Sequence, residues 1–231
     1  EKIEFIDNKF NFRISYMDNV FYNDIYYGKT ISVKIIKMFL RLLEKHSNLE
    51  LFLKPKSNLN FEKLKKKIPI LKKYIDSSRV KIFFGSGFNE KFNPAKLAKI
   101  SNLVFGLGVS SVAAEASFFG TTSFHFDNLK LQNENEFCKN NLNKIVFDDI
   151  EKLEKAINDQ ILNQKMTTEE NKLLHAKLDP FQDGNAGLRT ALIIDLIFKK
   201  HDKLKNLDSL FEEINNLIIN NKAVFKETYS I

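Results

Sequence analysis

Asn102-Leu-Val-Phe-Gly-Leu-Gly-Val-Ser-Ser-Val-Ala-Ala-Glu-Ala-Ser-Phe-Phe-Gly-Thr-Thr-Ser-Phe-His-Phe-Asp127 is an apolar run, a Gly/Ser turn, an alanine-rich helical pattern and a second apolar run. It reads as strand, loop, helix, strand. Leu103 to Phe105 suit a buried parallel strand, and Gly106 and Gly108 allow a tight turn whose backbone can approach a ligand closely. Ser110 and Ser111 stand where the helix begins. There, free N–H groups and the positive end of the helix dipole form an anion site, and two hydroxyls add donors for phosphate oxygens. Glu115 follows Ser111 by about one helical turn on the same face, within reach of ribose hydroxyls beside a bound diphosphate. Gly120 ends the helix as a C′ glycine does.

Outward from this stretch, apolar runs alternate with helical patterns. A strand is expected over 3–6, then an aromatic, irregular linker over 10–27. Thr30 caps a helix to Lys45, whose Val33, Ile36, Phe39, Leu40 and Leu43 form a core stripe. A strand over 49–53 ends at Lys54-Pro-Lys56. Ligands of parallel α/β sheets bind beyond the carboxyl ends of strands, so Lys54 and Lys56 can face a cleft or simply sit on a loop. A basic helix over 61–74, interrupted at Pro69, precedes a strand over 80–84. Gly85-Ser-Gly87 looks like a phosphate loop, but no helix pattern follows it. Asn93 caps a short helix with Pro94 at its first position.

Beyond Asp127, residues 128–143 are polar and Asn-rich. A short strand over 144–147 leads to a helix over 150–162 capped by Asp148 and Asp149. Thr167 with Glu170 makes a capping-box pattern. Asp179-Pro180 and Asp183-Gly184 are two close turn signals before a helix over 186–200, and 204–219 is helical again. The alternation predicts an α/β fold with a doubly wound, mainly parallel, Rossmann-like sheet and extra C-terminal helices. The expected division is a nucleotide-binding domain over 1–200 and a helical extension over 201–231.

The chain has 231 residues, 43% of them hydrophobic, with a single cysteine, Cys138. A disulfide within the chain and a cysteine-based zinc site are excluded, and cytoplasmic residence is the default expectation. No apolar run approaches the ~18 residues that span a bilayer, so any membrane contact is peripheral. The net charge is +7, from 36 basic and 29 acidic residues. Much of the excess lies in Lys63-Leu-Lys-Lys-Lys-Ile-Pro-Ile-Leu-Lys-Lys73, which suits a phosphate or membrane-surface patch or, more plainly, a solvated helix face. A nucleic-acid role lacks its motifs and its interleaved aromatics.

Gly108-Val-Ser110-Ser111, Glu115-Ala116, Gly120 and the strand over 123–127 together resemble the nucleotide-sugar site in the C-terminal half of GT-B glycosyltransferases, in particular those of capsule and surface-polysaccharide biosynthesis. Asp179-Pro-Phe-Gln-Asp183-Gly-Asn-Ala-Gly-Leu-Arg189 resembles the turn that leads into the last helix in some of them. Asn102 departs mildly from the aspartate usual before that strand. The resemblance implies that Gly108, Ser110 and Ser111 hold the donor phosphates and Glu115 the ribose, with Lys54, Lys56, His125, Asp127, Asp183 and Arg189 as further cleft candidates. It implies a glycan or glycolipid acceptor, no metal and no cofactor beyond the nucleotide-sugar donor. A catalytic base and an acceptor-binding domain are expected in an N-terminal half outside this chain.

His125 can point at a donor phosphate or be a satisfied sheet histidine. His46, His175 and His201 sit in helix-like surface contexts with no acid or cysteine constellation. A hydrolase elbow and a Walker A loop are absent, since Val112 follows the second serine and no Gly-Lys-Ser/Thr occurs. Two rival functions remain, a nucleotide-sugar 2-epimerase and a non-catalytic GT-B-like binding domain. Asp183 has two possible roles, a cap on the following helix or a donor contact.

Overall fold

The computed structural model describes residues 9–17, 28–84, 93–131, 136–163, 169–179, 181, 183–200 and 207–220. The expected strand over 3–6, the Gly85-Ser-Gly87 loop, Thr167 of the capping box, Pro180 and Gln182 of the 179–189 motif, and His201 lie outside the described residues. By packing, the chain divides into two compact units, Glu1–His175 and Ala176–Ile231, a boundary different from the sequence-based one at 200.

The first unit is built on a six-stranded sheet: β1 (Phe12–Met17), β2 (Leu49–Lys54), β3 (Val80–Ile82), β4 (Leu103–Leu107), β5 (Thr122–Phe126) and β6 (Val146–Phe147). Every pairing is parallel, in the order β3-β2-β1-β4-β5-β6. This is the doubly wound Rossmann-like order, whose strand sequence reverses between β1 and β4. Around it run α1 (Gly28–Lys45), α2 (Asn58–Lys67), α3 (Leu71–Asp76), α4 (Pro94–Ile100), α5 (Ser111–Ala114), α6 (Glu136–Asn140), α7 (Ile150–Asn163) and α8 (Glu169–Leu178), which straddles the unit boundary. The second unit holds α9 (Ala186–Lys200) and α10 (Leu207–Asn220).

Of residues 10–27, expected to be an irregular linker, Phe12–Met17 instead form the central strand, and 18–27 lie outside the described residues. β1 pairs with β2 on one side (Ile14↔Leu51) and β4 on the other (Ile14↔Leu103). Its side chains alternate. Phe12, Ile14 and Tyr16 enter the larger core with α1, α2, α3 and α7, where the rings of Tyr16, Phe39 and Phe105 meet at 4.9–5.8 Å between centroids. Arg13 and Ser15 face the other way, where partners distant in sequence await them. Arg13 Nε donates to the wholly buried Glu50 at 3.2 Å, and the Ser15 and Ser101 hydroxyls meet at 2.6 Å.

Much of the local punctuation follows the sequence, but α1 already begins at Gly28, so Thr30 lies within its first turn instead of capping it. Ile68 N–H closes α2 on Leu64 O, and the Pro69–Ile70 turn separates it from α3. Asn93 Oδ1 accepts from Lys96 N at 2.9 Å, capping α4 behind Pro94, and Asp149 Oδ1 accepts from Glu151 N and Lys152 N to start α7. Asn102 extends the β1–β4 ladder, its Oδ1 accepting from Arg13 N at 2.8 Å while its own N–H donates to Arg13 O at 2.9 Å. The Asn102 side chain thus works at the amino end of the sheet, opposite the edge where a ligand would lie.

Candidate functional site

The carboxyl edge at the β1/β4 reversal is where an open α/β sheet offers a crevice, because the connections from adjacent strands leave in opposite directions. β4 delivers Gly108 there with φ 65°, a left-handed conformation that suits glycine, and Gly108 N–H donates to Phe126 O at 2.8 Å. Gly106 has a different task from the turn role expected of it. It lies within β4, and a β-carbon there would fall 2.6 Å from Ser110 Oγ and 2.9 Å from Ala113 Cβ, so the missing side chain is the space into which α5 packs.

The two serines divide their work. Ser110 is buried, adopts extended backbone and turns its hydroxyl back to accept from Ala113 N at 3.4 Å, a long N-cap bond. Ser111, the first helical residue, is exposed. The expected single helix is α-helical for one turn only and tightens into a 3-10 segment, Glu115–Phe119. Ala113, Ala114, Ala116 and Ser117 are buried, whereas Ser111 and Glu115 share the exposed side, as their spacing predicted. Gly120 closes the segment at φ 69°, its N–H donating to Ser117 O. Thr121 Oγ1 donates to Ala98 O at 3.0 Å and ties this end to α4.

On the sheet face beneath α5, the register sets Lys54, Met17, Gly106 and His125 in one row across β2, β1, β4 and β5. Lys54 is buried at the end of β2, and Lys56 lies exposed beyond it. His125 is wholly buried. The Gly108 carbonyl can only accept, so His125 Nδ1 carries the proton and donates to it across 3.3 Å. Nε2 lies 3.3 Å from Ser123 Oγ, whose hydroxyl donates to Asn171 Oδ1 at 2.7 Å. Burial pushes the imidazole pKa down to about 4, against a smaller upward pull from the Gly108 carbonyl, so the ring is neutral at pH 7. It is a hydrogen-bonded sheet histidine that braces the glycine turn from below. Asp127 Oδ1 accepts from Leu131 N at 3.1 Å and so holds the turn that follows β5.

Asp183 and Arg189 belong to the second unit and engage one another there. Arg189 Nη1 and Nη2 donate to the two Asp183 oxygens at 3.0 and 2.7 Å, and Asp183 Oδ1 also accepts from Asn185 N at 3.0 Å just ahead of α9. The guanidinium stacks 3.7 Å over the Phe181 ring. Asp183 therefore closes an Asx turn on the Asn185 amide and is tied by its ion pair to the first turn of α9, without capping a helical N–H itself. Its carboxyl is held below the usual carboxylate range, first by Arg189 and then by the Asn185 amide.

Asn171 is the residue that sequence reasoning passed over. It is wholly buried, and its Oδ1 takes both the Ser123 N–H (2.8 Å) and the Ser123 hydroxyl. An asparagine in a polar helical stretch gives no sign of such a partner 48 residues away. Among the described residues, no group of three or more His, Cys, Asp or Glu gathers to hold a metal ion, and no helix is long and apolar enough to cross a membrane.

The six-stranded parallel sheet with its surrounding helices is a Rossmann-like α/β fold with extra C-terminal helices. A crystal structure described as a UDP-N-acetylglucosamine 2-epimerase from Listeria monocytogenes is similar to it with a TM-score of 0.50, at 15% identity, over 85% of this chain and 46% of that one. The chain thus spans a little under half the length of that structure, and the likeness is one of fold. No protein-family model matches the chain, and no curated protein matches it in sequence.

Proposed function

We propose that the chain is the donor-binding half of a GT-B-type glycosyltransferase that moves a sugar from a nucleotide-activated donor to a surface-polysaccharide or glycolipid acceptor. The observation that carries this is the exposed Ser111 and Glu115 pair directly behind the Gly108 turn, at the carboxyl edge of the strand-order reversal. In this reading the donor diphosphate lies against the Gly108–Ser111 backbone. Ser111 Oγ donates to it and Glu115 accepts from the ribose hydroxyls. The fixed N–H dipoles stabilise the charge that develops on the departing nucleotide, the preorganised part of catalysis. The acceptor, the general base and any closure over the sugar are assigned to a second half.

Isothermal titration with UDP, CDP, CMP and GDP tests the reading. Binding of one of them, weakened on the order of tenfold or more by Ser111→Ala at unchanged melting temperature, is the expected result. Absence of binding by all four overturns it.

A second reading, nucleotide-sugar 2-epimerisation, is favoured by the fold likeness to a protein described as such an epimerase. The two separate on product analysis of the chain joined to a partner half and given a nucleotide sugar with no acceptor. An epimerase inverts C2 of the sugar, whereas a transferase leaves the donor intact.

A further inference from the structure

The outer surface of α2 and α3 combines charge and exposed apolar groups. Lys63, Lys66, Lys67, Lys72 and Lys73 are exposed there against one exposed acid, Asp76, while Glu62 is matched by Lys65 at 2.9 Å. On α2 the exposed stripe Leu59, Lys63, Lys66 stands opposite the buried pair Phe61 and Leu64, so the helix is oriented by its core contacts and its outward face is fixed. Leu59 is 66% exposed near the start of this surface and Ile70 49% exposed at the bend between the helices. Single exposed apolar residues are ordinary, but here two of them bracket a cationic stripe.

Three kinds of partner could meet such a face, and its chemistry separates them. The core of a protein interface is depleted in lysine and enriched in aromatics and arginine, the reverse of this surface. Single-stranded nucleic acid is held by stacking on aromatic rings, and Leu59 and Ile70 offer none. An anionic bilayer fits both features. Its headgroups attract the ammonium groups, lysine stems lie along the interface, and the two aliphatic side chains reach the acyl boundary. We propose that the outer face of α2 and α3 docks on anionic phospholipid bilayers, an inference independent of the sugar-transfer reading.

The test is co-sedimentation of the chain with phosphatidylcholine vesicles containing or lacking about 30 mol% phosphatidylglycerol, at about 50 and about 500 mM salt. Binding to the anionic vesicles alone, released at high salt, is expected. The variant Lys63→Gln/Lys66→Gln/Lys67→Gln/Lys72→Gln should partition at least about tenfold more weakly. Leu59→Ala/Ile70→Ala, which touches only exposed side chains, should weaken partitioning several-fold with the melting temperature unchanged. Absence of binding, equal binding to neutral vesicles, or full binding by the lysine variant overturns the proposal. Displacement from the vesicles by a stoichiometric oligonucleotide also overturns it, since the surface would then be a general polyanion site.

Discussion

Ser110 Oγ occupies the space above Gly106 where a side chain would otherwise be, 2.6 Å from the position of an added β-carbon. The start of α5 is thereby seated on the strand, and the exposed edge that follows inherits its position from this contact. Gly106→Ala forces either the serine or Ala113 outward. Overpacking of this kind costs about 1–3 kcal/mol. Urea unfolding should show that loss, and Ser110→Gly in the same background should recover part of it.

The serine pair separates stability from binding. Ser110→Ala removes the cap and should cost about 1 kcal/mol of unfolding free energy. Ser111→Ala should leave unfolding unchanged and, on the proposed function, weaken nucleotide binding by about 1–3 kcal/mol. Glu115→Gln should weaken binding of nucleotides more than binding of free pyrophosphate. Equal losses for both ligands would remove the ribose contact from the proposal.

His125 makes stability depend on pH in a defined window. Its folded pKa, about 4, lies below the ordinary 6.5, so between these values the unfolded chain binds a proton that the folded chain does not. Its contribution is full above pH 6.5 and is lost as pH falls towards 4, a decline on the order of 3 kcal/mol. Urea midpoints across that range should show it. His125→Gln should flatten the slope, and an unchanged slope in that variant would assign the effect elsewhere.

Asp183 behaves with the same sign but at lower pH. Its folded pKa is depressed by Arg189, whereas the unfolded carboxyl titrates near ~3.9. The ion pair's contribution is therefore full above about pH 5 and is lost as pH falls below about 4. Asp183→Ala should lower the melting temperature and raise amide exchange in the first turn of α9. A variant that melts normally but abolishes sugar transfer would move this turn into the active site.

The parts of the fold that were legible are those with local causes. Pro94 and Asn93 announce α4, Pro69 splits α2 from α3, and the Gly/Ser turn marks the edge of the reversal, because backbone chemistry within a few residues decides each. β1 was not legible. Phe12-Arg-Ile-Ser-Tyr-Met17 reads as polar on one side, and its place in the centre depends on Glu50 and Ser101, contributed by segments 37 and 86 residues away. The same distance concealed the role of Gly106, the service of His125 to the Gly108 carbonyl, and Asn171.

Asn171 has a consequence for where this chain can be cut. The N–H groups of Ser123, His125 and Asp127 all point away from β4. The last two find the carbonyls of Ile145 and Phe147, but the first is met by Asn171, which stands in for a strand residue that the two-residue β6 is too short to supply. A chain truncated after α7 keeps all six strands of the described residues and yet leaves Ser123 with an open donor beside a short outer strand. Such an edge recruits foreign strands. Truncated preparations should accordingly self-associate through β5 and β6, and Asn171→Leu in the intact chain should reproduce that tendency in milder form.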